Sequence, residues 1–253
     1  MQLIPDKYTN NFKKCRKTKN CILGIIRYSL KNRTFAQKLQ IMTAVIIGAT
    51  GAVGKDLLQL LLNDDTFTEV RALVRKPLSL QHPKLQEHIV NFSEPQQWSP
   101  LVVADVAFSC LGTTLKQAGS KERQRQIDVQ YNLDFAKAAA ANGVKTFVLV
   151  SSVGANSHSS NFYLQIKGEL EDAVKNLAFS SMNIFQPSVL KRKDSDRVGE
   201  KLSISVLNFF NTIGLFRRYQ PLSTERLAEA MLTTAKAAQQ GVNTFTGNKI
   251  HKI

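Results

Sequence analysis

Cysteine is nearly absent from this chain: Cys15, Cys21 and Cys110 are all that 253 residues contain. They are too few and too scattered for a disulfide framework, which excludes a stapled secreted fold and fits a reducing compartment. Cys15 and Cys21 are near neighbours, yet no second ligand pair follows them. His82, His88 and His251 show no metal-ligand spacing either. No apolar run approaches the ~20 residues that a membrane-spanning helix requires. Acidic residues are scarce at the start. Residues 1–42 hold ten Lys or Arg (Lys7, Lys13, Lys14, Arg16, Lys17, Lys19, Arg27, Lys31, Arg33 and Lys38) against Asp6 alone.

That segment therefore contributes +9 of the formal +15, and the rest of the chain is only modestly basic. Its composition is open to three readings. It is a basic arm for nucleic acid or anionic lipid, a targeting peptide, or a translated leader ahead of Met42. The third fits best, because a compact domain lacks nothing without the segment. The expectation is then a basic extension over 1–42 outside the fold, one domain over 43–253, no specific nucleic-acid partner, and a cytoplasmic location. The sequence leaves the oligomeric state open.

After residue 42 the pattern alternates. "TAVIIG" reads as a buried strand and "KDLLQLLLND" as a helix with its leucines on one side. "EVRALVR", "HIVNF", "ADVAFSCLG", "KTFVLVSS" and "NIFQPSVL" read as further strands. Between them, Ser120 caps a long helix that carries Ile127, Tyr131, Phe135 and Ala138 and ends at Gly143; a second helix runs from about Asn161 to Leu177. Strands alternating with helices predict a Rossmann-like α/β fold, a doubly wound parallel sheet with helices on both faces.

The first strand leads into "GATGAVG", which places Gly48, Gly51 and Gly54 between strand and helix. In that position the first glycine allows a tight turn, the second a close backbone approach to pyrophosphate, and the third close helix–strand packing. The helix start offers free N–H groups to phosphate oxygens. A cofactor with unmodified ribose hydroxyls calls for Asp or Glu after the second strand. Here "LVRKP" puts Arg75 and Lys76 there instead, suited to a 2′-phosphate that a carboxylate would repel. The alternative is an ordinary pair of solvated surface cations.

Further on, "SSVGANSHSSNFYLQIK" spaces Tyr163 and Lys167 four apart, on one helical face. A phenol is a poor acid–base group at neutral pH, and an ammonium one turn away favours its charged form. Ser151 and Ser152 end the preceding strand, where a hydroxyl can polarise a carbonyl. Elsewhere in a chain such a Tyr–Lys pair is usually a surface accident; behind a serine pair in a dinucleotide fold it points to catalysis. His158 reads as a solvated loop residue and Cys110 as a small buried apolar one. "SISVLNFFNTIGLF" reads equally as a lid over the pocket or as a core helix.

Together "GATGAVG", "RALVRKP", "SCLGTT", "VLVSSVGA" and "YLQIKGELE" resemble the short-chain dehydrogenase/reductase superfamily, in particular its atypical, NmrA-like and Tat-interacting-protein-like branch. The resemblance covers about residues 43–253, including "GNKIHKI". It implies NADP(H), preferred over NAD(H), with Gly48, Thr50, Gly51, Ala52, Val53 and Gly54 along the pyrophosphate and Arg75 with Lys76 on the 2′-phosphate. Leu111 and Gly112 would lie beside the nicotinamide ribose, and Pro187 and Ser188 would flank the nicotinamide. Tyr163 would be the acid–base residue, Lys167 its helper on the ribose, and Ser152 or Ser151 the carbonyl partner.

The chain also departs from the pattern. "CLGTT" replaces an Asn-Ala-Gly run, Asp128 falls where a supporting Asn is common, and Gln186-Pro187-Ser188 replaces Arg-Pro-Gly. The implied activity is reduction of a small carbonyl substrate. The alternatives are an NADPH-binding regulatory module with little turnover and a nucleotide-sugar epimerase or dehydratase.

Overall fold

A computed structural model describes residues 41–188, 190–191 and 222–253. The basic segment up to residue 40 and the 203–216 stretch read above as lid or core helix lie outside the described residues.

Strand β1 (Met42–Ile47) is apolar except for the partly buried Thr43 and is buried on both faces. Its alternate residues supply two cores. Ala44 and Ile46 point into one and Val45 and Ile47 into the other, as a central parallel strand covered on both sides demands. Helix α1 (Ala52–Asn63) buries Leu57, Leu58, Leu61 and Leu62 in the first core, each worth about 1.5–3 kcal/mol of transfer free energy.

The chain continues through β2 (Phe67–Val74), β3 (Leu85–Ile89), the short α2 (Pro95–Trp98) and β4 (Val106–Ser109). Next come α3 (Leu115–Ala118), α4 (Lys121–Arg125), a π turn (Gln126–Gln130) and α5 (Tyr131–Ala141). Then follow β5 (Thr146–Val150), α6 (Phe162–Lys175), β6 (Ser181–Gln186), β7 (Leu190–Lys191) and β8 (Leu222–Ser223), and finally α7 (Thr224–Ala237) and β9 (Gly241–Thr246).

Seven strands form one sheet in the order β3-β2-β1-β4-β5-β6-β9, with every pairing parallel. Helices α1 and α7 cover one face, α5 and α6 the other. This is the Rossmann-like doubly wound fold that the alternation predicts, in a single compact unit from Ile41 onward. The strand order reverses between β1 and β4, and a ligand crevice opens at such a switch point.

Three elements differ from the sequence pattern for local reasons. Strand β3 lies three residues earlier than "HIVNF", because Phe92 turns away to pack on Trp98 and Tyr131. The Asn91 side chain takes the Ser93 N–H at 3.1 Å and closes that turn. Strand β6 stops at Gln186, before Pro187, whose nitrogen has no proton to give the ladder. The long helix begins at Ser120, which accepts the Arg123 N–H at 3.1 Å, but it is interrupted by the π turn.

Candidate functional site

The glycine turn is built by contact. A Cβ on Gly48 would fall 2.4 Å from the Cys110 carbonyl carbon and 2.5 Å from Leu111 N, so the ends of β1 and β4 touch through it. A Cβ on Gly54 would fall 2.1 Å from the Gly48 carbonyl oxygen, so α1 starts directly against the turn. Gly51, exposed, caps α1 without any side-chain bond, and no acid lies in the first turn. The first N–H groups of that helix have no intrahelical acceptor, which together with the helix dipole suits a phosphate. Thr50 is exposed on this rim, Ala52 is half-buried, and Val53 turns its side chain into the core.

At the end of neighbouring β2, Arg75 and Lys76 are both exposed. Among the described residues neither has a carboxylate or other side-chain partner.

The opposite wall is α6. Asn161 caps it, accepting the N–H groups of Tyr163 at 3.0 Å and Leu164 at 3.2 Å. Tyr163 is half-buried in the first turn. Lys167 is buried, its Nζ lying 5.9 Å from the Tyr163 ring centroid and 2.9 Å from Asp128 Oδ1. Burial alone would lower its pKa, yet Asp128, then Tyr163 and Glu171, hold it above the ordinary value. A Cβ on Gly112 would reach to 3.7 Å from that nitrogen, so Lys167 faces the loop that follows β4. The lysine, the β4 loop and the glycine turn thus meet at the switch point.

The serine pair divides. Ser151 donates to Glu171 Oε1 at 2.5 Å, and the same buried carboxylate accepts Gln186 Nε2 at 2.8 Å. Ser152 is buried with only a 3.4 Å contact to the Val153 carbonyl, which leaves its hydroxyl the more available of the two. Pro187 lies beside this pair, its carbonyl accepting the Val153 N–H at 3.0 Å. Ser188 is half-buried. His158 is exposed, and no metal-binding cluster occurs among the described residues. Burial pushes the Cys110 thiol up to about 12, so it is not a thiolate at neutral pH.

Two site features escape the sequence pattern. Asn132, fully buried, donates to the carbonyls of Ile127, Asp128 and Leu111 at 2.9, 3.2 and 3.2 Å, tying the π turn to the end of β4. Its acceptor oxygen takes the Ser109 hydroxyl at 2.5 Å. Gly168 lets the 153–161 loop lie on α6, because a Cβ there would fall 2.1 Å from Ser157 N. A small residue immediately after the lysine is the only sequence trace of that contact.

A phosphate-ready helix start, a glycine turn at the switch point and a Tyr–Lys pair across it define an NAD(P)-binding Rossmann protein. The family model described as NAD(P)H-binding matches residues 48–201, more than half of the chain. The chain belongs to this NAD(P)H-binding family. Protein FMP52-1, mitochondrial, from Scheffersomyces stipitis is 33% identical over 202 residues, 77% of this chain and 88% of its own length. The Candida albicans FMP52 is 31% identical over 216 residues, 83% of this chain and 93% of its own length. The rat protein HTATIP2 is 38% identical over 172 residues, covering 66% of this chain and 70% of its own.

Among solved structures, a short-chain dehydrogenase/reductase superfamily protein from Agrobacterium tumefaciens with bound NAD superposes with a TM-score of 0.63. It is 16% identical and covers 81% of this chain and 77% of its own. One expectation is overturned. Several FMP52 relatives are named as mitochondrial proteins, so the cytoplasmic location inferred from scarce cysteine does not stand. Scarce cysteine marks a reducing environment and does not distinguish one such compartment from another.

Proposed function

We propose that this chain is an NADPH-dependent reductase of a small carbonyl compound. The observation that carries the reading is the placement of Lys167, buried beside Tyr163 and open to the β4 loop through Gly112. Gly48, Gly51 and Gly54 with the start of α1 would hold the pyrophosphate. Arg75, with Lys76, would hold the 2′-phosphate, for which an exposed planar guanidinium without a carboxylate partner among the described residues is well suited. When bound, the dihydronicotinamide supplies a hydride to the carbonyl carbon. Ser152 donates a hydrogen bond to the carbonyl oxygen and orients it. Tyr163 gives that oxygen its phenolic proton as the alcohol forms, and the phenolate recovers a proton from solvent. Lys167 steadies the negative charge left on the phenol.

The test is a panel of quinones, aldehydes and ketones screened for NADPH oxidation, followed by two variants on any substrate found. Tyr163→Phe is expected to lower kcat at least ~10²-fold with little change in NADPH affinity. Lys167→Ala is expected to weaken both. Reduction that survives Tyr163→Phe, or a panel without any reduced member, overturns the reading. The nucleotide-binding regulatory module, which the unusual Asp128 and Gln186-Pro187-Ser188 favour, then replaces it. We also infer that residues 1–42, basic and nearly free of acid, direct the chain to mitochondria. A fluorescent fusion of that segment that stays diffuse contradicts this.

A further inference from the structure

We propose that Asp128 is the counter-ion that keeps Lys167 an ammonium and fixes it against the loop after β4. This gives Asp128 a positioning role that rests on the part assigned to Lys167 above.

Lysine is rarely buried without a partner, and here both side chains are out of water, 4% exposed for Lys167 and 0% for Asp128. The two carboxylate oxygens are divided between two donors. Oδ1 lies 2.9 Å from the ammonium, and Oδ2 accepts the Thr113 N–H at 2.9 Å. An asparagine has one acceptor oxygen and cannot serve both. Thr113 follows Gly112, whose missing side chain leaves room for the pair: a Cβ there would come within 3.3 Å of Asp128 Oδ1. The widened π turn carries Asp128, and Asn132 pins that turn to the Leu111 carbonyl. Lysine, carboxylate and β4 loop are therefore linked as one unit.

The titratable groups acting on Lys167 are Asp128 from the π turn and Tyr163 and Glu171 from its own helix. Glu171 is already engaged by Ser151, Gln186 and Lys175, which leaves Asp128 as the principal counter-charge. Replacing it with a neutral side chain leaves burial to act on the ammonium with much less opposition.

The experiment follows the Lys167 side chain by NMR in the full-length protein carrying carbon-13 lysine, its resonance assigned by its loss in Lys167→Arg. Wild-type Lys167 is expected to titrate above 10.5, the ordinary value. In Asp128→Asn the midpoint falls by about one pH unit or more, and Asp128→Glu restores most of it. An Asp128→Asn midpoint equal to that of wild type, or an Asp128→Glu midpoint as low as that of Asn, overturns the proposal. Should Asp128→Asn not fold, the wild-type titration decides: a midpoint at or below 10.5 overturns it. In parallel, NADPH affinity of Asp128→Asn is expected to decline with rising pH where that of wild type stays flat, whereas a loss equal at every pH marks a merely structural role and overturns the proposal. If NADPH binds neither protein, the cofactor reading falls while the titration still decides the role of Asp128.

Discussion

Alanine at Gly54 and alanine at Gly51 should fail in opposite ways. At Gly54 the added carbon lies 2.1 Å from the Gly48 oxygen, 2.8 Å from its carbonyl carbon and 3.1 Å from the Ala49 Cα, all backbone. Carbon contacts are favourable only near ~3.5–4 Å, so the start of α1 must recede by more than about 1 Å. Overpacking of this kind costs about 1–3 kcal/mol. For a domain of this size the upper figure lowers the Tm by roughly 6–12 °C. At Gly51 the added carbon meets only the Gly48 oxygen, at 3.2 Å, with the Cys110 oxygen at 3.9 Å, and the residue is exposed. Stability then falls by about 1 kcal/mol at most, the scale of a weakened N-cap. If Gly51 gives a pyrophosphate its close backbone approach, as proposed, the methyl group obstructs it and NADPH affinity should drop about tenfold or more. Thermal melts of the free protein paired with calorimetric NADPH titrations separate the two effects. The reasoning is refuted if Gly51→Ala melts as low as Gly54→Ala, or if it binds NADPH as well as wild type does.

Lys167→Met leaves Asp128 buried without its partner and should cost about 3–5 kcal/mol. Adding Asp128→Asn should return much of that loss, as urea-unfolding midpoints would show. Because the folded pKa of Lys167 is raised above 10.5, its stabilising contribution is complete below that value and is lost as pH rises through the folded pKa. Wild type should therefore weaken in strong alkali along a slope that Lys167→Met lacks, measured as unfolding midpoint against pH. For any substrate found, Ser152→Ala should lower kcat, whereas Ser151→Ala should chiefly lower the Tm by releasing the buried Glu171 carboxylate. Steady-state rates and melting curves of the two variants distinguish these outcomes.

The part of the fold legible in the sequence is the part with strong periodicity. The strand β1, buried on both faces, and the leucine-lined α1 announce themselves in "AVII" and "LLQLLL". The glycine triad between them gives the turn. Strand β9 is not legible, because it runs along the sheet edge with Val242 half exposed and little apolar alternation. Helix α7 buries alanines and threonines more often than large apolar residues, so its stripe is faint. The proximity of Tyr163 and Lys167 is readable from a spacing of four on one helix. Asp128 was legible as a departure, but not as the partner of Lys167, because that contact joins residues distant in sequence through a π turn. Asn132 was hidden for the same reason: one added residue in a helical turn shifts every side-chain direction after it. The division of labour between Ser151 and Ser152 depends on Glu171, which only the packing of α6 on β5 brings near.

We propose that the glycine turn and two exposed cations, Arg75 and Lys76, which have no side-chain partner among the described residues, together select a phosphorylated dinucleotide. The most direct measurement is calorimetric titration of the full-length chain and of Arg75→Ala with NADPH and with NADH. NADPH should bind wild type at least several-fold more tightly than NADH does, and Arg75→Ala should erase most of that preference while leaving NADH affinity nearly unchanged. Equal affinities in wild type, a preference for NADH, or an Arg75→Ala variant that keeps its discrimination would contradict it.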